Sequence, residues 1–133
     1  MTRHELPARR NLVTQKCRVG RRTIYLQVHD DPSPAEFFIR IKGEGCTAEV
    51  VSLYDVLARL ASLSIQCGAP LEKVADMLRG VKFEPCGPVT GHSRIKFCES
   101  LPDLIGRHLL VENCGREDLA HVLATPSAEG KGC

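Results

Sequence analysis

The sequence predicts an α+β fold: a small N-terminal antiparallel three-stranded sheet packed on a long helix, followed by two or three shorter helices. Three observations carry this. Alternating polar and apolar residues crowd into the first third of the chain; the stretch from Thr47 to Cys67, free of Gly and Pro, has a helical period; and strands precede helices instead of alternating with them.

Residues 1–11 are polar, contain Pro7 and lack a period, so they are expected to form a flexible arm. Val13 to Val19 and Ile24 to His29 flank Gly20-Arg21-Arg22 and read as two strands joined by a tight turn. In the second, Ile24, Leu26 and Val28 alternate with Tyr25, Gln27 and His29. Asp30-Asp31-Pro32-Ser33-Pro34 is turn chemistry, because Pro presets φ and Asp bonds its own backbone. In a third strand Phe37, Ile39 and Ile41 point one way and Phe38, Arg40 and Lys42 the other, until Gly43 and Gly45 end it.

Along the long helix Val50, Leu53, Leu57, Leu60 and Ser64 recur at helical spacing, and Val56 and Leu63 widen that stripe. The polar strip opposite is Ser52, Asp55, Arg59, Ser62 and Gln66, so the stripe with Leu57 and Leu60 is expected in the core. Gly68 and Pro70 stop this helix. Pro70 opens a short amphipathic helix over 71–79, with Gly80 where a left-handed cap belongs; Leu71, Val74, Ala75 and Leu78 are expected to bury against the long helix. From Val81 to Phe97 the chain reads as irregular. Ser100 is a candidate N-cap with Asp103 three residues on and Pro102 in the first turn, which predicts a helix from about Leu101 to Val111. Glu117 to Leu123 suggests a last short helix, and the final residues a disordered tail. One domain, 12–111, is expected between the arm and a 112–133 segment of short helix and tail.

With 133 residues, 43% of them hydrophobic, the chain can bury a core without disulfide or metal staples. A balance of 18 basic against 16 acidic residues argues against a nucleic-acid coat. The cluster Arg9, Arg10, Lys16, Arg18, Arg21 and Arg22 reads as a solvated arm and hairpin, with anion or nucleic-acid contact the lesser reading. Seven cysteines without a C-x-x-C argue against a zinc knuckle. Their odd number, with no apolar leader core behind Met1, argues for reduced thiols in the cytoplasm. No stretch is apolar enough to suggest a membrane span.

The ligand candidate is the loop from Pro85 to Arg94. Gly87 and Gly91 let backbone approach a ligand, while Thr90, His92, Ser93 and Arg94 supply donors for phosphate or carboxylate, and Arg22 of the hairpin is a further contact. Neither phosphate-cradling glycine motif is present, and an ordered connection with special backbone angles is the competing reading. The five histidines, without H-x-x-x-H or H-E-x-x-H, are expected to be isolated surface or strand residues. Cys86 or Cys98 with His92 is the nearest thing to a nucleophilic pair, but no spacing brings them together, so neither a catalytic residue nor a metal ligand is assigned.

Several blocks in one order carry a family resemblance: Glu5-Leu6-Pro7, Thr14-Gln15-Lys16, Tyr25-Leu26, Ala35-Glu36-Phe37-Phe38-Ile39, Leu60-Ala61-Ser62-Leu63, Gly68-Ala69-Pro70-Leu71-Glu72, Phe83-Glu84-Pro85-Cys86-Gly87 and Ser100-Leu101-Pro102-Asp103. Over residues 5–111 the chain resembles the TSCPD domain, the C-terminal region of cobalamin-dependent (class II) ribonucleotide reductases. At the motif that names the family it reads Glu99-Ser100-Leu101-Pro102-Asp103, keeping Ser, Pro and Asp but replacing Thr and Cys, so a redox role for that Cys is absent. The resemblance places the barrel, its radical-forming and reducing cysteines and the adenosylcobalamin site upstream, in full-length relatives. It therefore implies an accessory module that docks on a reductase subunit, or substitutes for its C-terminal part, and does not catalyse alone. A stand-alone small-nucleotide-binding protein and a homodimeric interaction scaffold built on the long helix are the other expectations.

Overall fold

The period-two stretches become three antiparallel strands in the computed structural model, which describes residues 12–29 and 36–122. They are β1 (Val13–Val19), β2 (Arg22–His29) and β3 (Glu36–Gly43). Gly20, at φ +59, supplies the positive angle that a two-residue hairpin needs between Val19 and its partner Arg22. Cys17, Val19, Ile24, Leu26, Val28, Phe37, Ile39 and Ile41 are buried on one sheet face. The other face carries exposed Lys16, Arg18, Arg40 and Lys42 around half-buried Tyr25. The expected arm, the turn from Asp30 to Pro34 and the tail lie outside the described residues.

Helix α1 (Ala48–Gln66) begins at Thr47, whose Oγ1 accepts from the Val50 N–H at 3.3 Å. Its orientation differs from the expected one. Tyr54, Ala58, Ala61, Ser62 and Gln66 are buried, whereas Leu53 and Leu60 are 59% and 62% exposed and Leu57 is half-buried. Small Ala58 and Ala61 let the helix lie close to the sheet. Ser62 hydrogen-bonds the backbone of Phe37, accepting from its N–H at 2.9 Å and donating to its C=O at 3.1 Å. A polar residue thus takes up the outward-facing backbone groups of Phe37 on the edge strand β3. Ser62→Ala should cost about 1–3 kcal/mol by leaving two buried backbone groups unpaired, while Leu60→Ala should stay within about 0.5 kcal/mol. Urea denaturation of both variants checks this, and equal midpoints would contradict the orientation.

Helix α2 (Leu71–Leu78) buries Ala75 and packs chiefly on a third helix, α3 (Leu101–Asn113), rather than on α1 as expected. Gly106 explains the choice: a Cβ there would lie 2.5 Å from the Ala75 carbonyl oxygen and 2.9 Å from the Arg79 nitrogen, so only glycine admits this approach. Leu101, Leu104, Ile105, Leu109, Leu110 and Val111 are all buried, which makes α3 the central helix. The stretch expected to be irregular contributes two short strands, β4 (Gly87–Thr90) and β5 (Phe97–Cys98), giving a five-stranded sheet of order β3-β2-β1-β4-β5. Their shortness, and Pro88 within β4, hide them from a periodicity reading. The fold class is α+β. After α3 the described chain makes one 3₁₀ turn, Glu117–Leu119, where a short helix was expected.

Candidate functional site

The family-motif residues fold into a polar clasp at the start of α3. Ser100 is the N-cap; its Oγ accepts from the Asp103 N–H at 3.0 Å and donates to the Val81 carbonyl at 2.6 Å. Pro102 occupies the first turn, where no N–H is needed. The fully buried Asp103 carboxylate accepts from the Gly80 N–H at 2.7 Å and the Glu99 N–H at 3.0 Å. A standard capping box would return this carboxylate to the N–H of Ser100 itself. Here it reaches one residue earlier and across to the end of α2, tying the two helices together. Beside it, burial foremost and the Asp103 charge next push the Cys98 thiol up to about 11, the reverse of an activated thiolate.

The loop from Gly87 to Arg94 is held by the chain itself. Gly91, at φ +95, packs so tightly on β1 that a Cβ would come 2.8 Å from the Lys16 carbonyl oxygen, and Gln15 Nε2 donates to the Gly91 carbonyl at 2.9 Å. Thr90 Oγ1 reaches the Arg18 carbonyl at 3.4 Å. His92 is buried, with Nδ1 accepting from the N–H groups of Arg94 and Ile95, both at 3.1 Å. Its Nε2 therefore carries the proton and donates to His108 Nδ1 at 3.0 Å. Burial, with nearby Lys96 and Arg94, lowers His92 to about 4; burial and His92 lower His108 to about 3. These two are a buried pair, not the isolated surface or strand histidines expected. His108 could have been found from its place on the apolar face of α3, one turn after Leu104.

Arg94 turns toward the C-terminal carboxylates: it pairs with Glu117, lies 3.9 Å from Glu112 and donates from Nε to the Val122 carbonyl at 3.3 Å. Arg22 donates to the carbonyls of Glu44 at 2.9 Å and Gly45 at 3.2 Å, bracing the turn into α1. Thr90 and Ser93 face solvent. The structure thus joins His92 to His108 and Arg94 to Glu112 and Glu117. Among the described residues no three His, Cys, Asp or Glu side chains gather as a metal site, and no helix is long and apolar enough to cross a membrane.

A larger surface feature lies on α1. Leu53, Val56, Leu60 and Leu63, spaced along one stripe, are 40–62% exposed and form an apolar ridge. A groove of about 410 Å³ on one side is lined by Phe38, Val56, Leu60 and Leu63 with Glu36 and Gln66. Another of about 380 Å³ is lined by Val50, Leu53, Leu57, Phe83 and Pro102, with Arg22 and Glu84 beside them. Glu36, Arg59 and Gln66 on one side and Arg22 and Glu84 on the other rim this apolar ridge with polar groups.

A family model described as the TSCPD domain matches residues 2–111. The chain is 40% identical to a vitamin B12-dependent ribonucleotide reductase of Bradyrhizobium diazoefficiens, in a match covering 98% of this chain and 11% of that protein. Like-named proteins of Agrobacterium fabrum and Rhodopirellula baltica are 38% and 32% identical, over 98% and 96% of this chain and 10% and 12% of their own lengths. The chain thus spans about a tenth of the curated relatives it matches. No solved structure matches it. With the Ser, Pro and Asp of the family motif in the clasp, and the family model covering most of the sequence, the chain belongs to the TSCPD domain family.

Proposed function

We propose that this chain is an accessory module of ribonucleotide reduction, acting in the cytoplasm in the supply of deoxyribonucleotides for DNA synthesis and docking on a reductase through the apolar ridge of α1. The observation that carries the proposal is that ridge, which the described chain leaves open although its buried residues form one continuous core. The relatives support the choice of partner, since their matching segment is attached to the rest of a reductase. Catalysis is not assigned to the chain. Its motif side chains serve backbone groups, and the Cys17 and Cys98 thiols are both pushed up to about 11 by burial. Nor do the described residues fit the vitamin B12 of the relatives' name: His92 and His108 hold each other in the core, and the grooves beside α1, of about 410 and 380 Å³, are open and lined by no histidine. Sedimentation velocity of the chain mixed with a reductase lacking the matching segment should give a complex, and the isolated chain should make no deoxyribonucleotide above a buffer control. Absence of the complex, or steady product from the chain alone, contradicts the proposal.

The same ridge favours a homodimer as the second reading, because two copies could cover each other's leucines. The chain sedimenting alone as a dimer, without affinity for reductase, would select it. Nucleotide binding at Gly87, Thr90, Gly91, His92, Ser93, Arg94 and Arg22 requires Arg94 to leave its carboxylates. Arg94→Ala should lower the melting temperature, with no nucleotide affinity to lose by calorimetric titration; an affinity that the substitution abolishes at unchanged melting temperature would favour the nucleotide reading instead.

A further inference from the structure

We propose that the open face of the sheet, opposite the core, binds single-stranded nucleic acid, with phosphates on Lys16, Arg18, Arg40 and Lys42 and a base stacked on Tyr25. The strand register builds this surface from both sides of β2. Lys16 faces Tyr25, which faces Arg40; in the next row on that face Arg18 faces Thr23, which faces Lys42. Four cations thus flank the central strand in two rows about 7 Å apart along the strands and about 10 Å across them. All four are exposed, and among the described residues none is paired with a carboxylate. The carboxylate on the same side of β3, Glu36, is buried at the strand's far end, and Glu44, beyond its near end, lies 3.7 Å from Arg21. In a chain of net charge +2 this separation makes one strongly basic face on a nearly neutral molecule.

Tyr25 decides the kind of polyanion. Its half-buried ring lies at the centre of the array, with the ammonium groups of Lys16 and Lys42 at 5.7 and 5.6 Å from its centroid. A strand offering phosphates draws those ammonium groups aside and leaves the ring to a base, the combination of basic track and aromatic platform that binds single strands with little sequence preference. An anionic bilayer, or a peptide of Asp and Glu alone, has charge for the lysines but nothing to stack on the ring. The exposed part of this face, around Tyr25 and away from the end where His29 and Glu36 are buried, is a shallow surface that suits a chain of nucleotides better than one. This surface lies on the sheet face away from the core; Glu36 and Phe38 at its far end reach the groove beside α1, but the basic cluster around Tyr25 does not line it and does not rest on reductase docking.

Fluorescence anisotropy with a labelled deoxythymidine oligomer of about 12 nucleotides tests it. Micromolar binding is expected at about 50 mM salt, with a log–log salt slope near −3 for four phosphate contacts. Lys16→Ala and Arg40→Ala should each weaken binding several-fold and reduce the slope by about 0.7. Tyr25→Leu should weaken it several-fold without changing the slope, and Tyr25→Phe should restore it; unchanged circular dichroism melting keeps the variants comparable. The proposal is overturned if the oligomer does not bind, if polyglutamate, anionic vesicles or duplex DNA bind as well or better, or if Tyr25→Leu binds like the parent.

Discussion

Asp103→Ala should destabilise the protein by about 3–5 kcal/mol, as expected when a buried charge with several partners is removed. The loss has two parts. The N–H groups of Gly80 and Glu99 would lose the acceptors that now lie 2.7 and 3.0 Å away, each at a cost of about 1–3 kcal/mol. The remainder is the tie between α2 and α3, whose approach at Gly106 leaves no room for compensating side chains. Asp103→Asn should recover only part of the stability, because its amide offers one oxygen to two donors and turns its own N–H groups toward the other. Ser100→Ala should cost less, about 0.5–2 kcal/mol, as loss of an N-cap does. Chemical denaturation of the three variants gives the ranking. A mild Asp103→Ala would mean that the retained motif residues do not act through the fold.

Acidification should unfold the protein through His92 and His108. Both are neutral and buried, and their pKa values in the folded state, about 4 and about 3, lie below the ordinary 6.5. Protons therefore bind the unfolded chain first. The stability associated with the pair is fully present above pH 6.5 and is lost as pH falls from there toward 4, at up to about 1.4 kcal/mol per pH unit for each histidine. Urea midpoints at pH 7.5, 6 and 5 should fall accordingly. Imidazole resonances of the two residues should hold their neutral positions down to pH 5, whereas ordinary surface histidines would titrate near 6.5. Titration of both rings near 6.5 without loss of stability would contradict the buried pair.

The strands β1 to β3, the N-cap of α3 and the α+β class are legible in the sequence, because alternation and capping residues are local signals. The face of α1 is not. Hydropathy assigns Leu53 and Leu60 to the core and Ser62 to solvent, but the sheet accepts the alanine face, and Ser62 is needed inside by the backbone of Phe37. The leucines left outside are what make the ridge a candidate docking face. Gly106 similarly sends α2 to α3 through a contact that no periodicity encodes. In the loop the partners of His92 and Arg94, namely His108, Glu112 and Glu117, lie 16 to 23 positions further along and are not legible from local spacing. The basic sheet face was half visible as Lys16 and Arg18; Arg40 and Lys42 join it only through the β2–β3 register.

Leu60→Asp should abolish docking through the α1 ridge while sparing the fold. Leu60 is 62% exposed at the centre of the α1 ridge, so the substitution should leave the melting curve unchanged while placing a charge in the apolar contact. Titration of parent and variant chains against a vitamin B12-dependent ribonucleotide reductase lacking the matching segment is the measurement. The parent should bind, and Leu60→Asp should lose at least about tenfold in affinity, roughly 1.4 kcal/mol. Equal affinity of the two chains, or no binding by the parent, would contradict docking through this ridge.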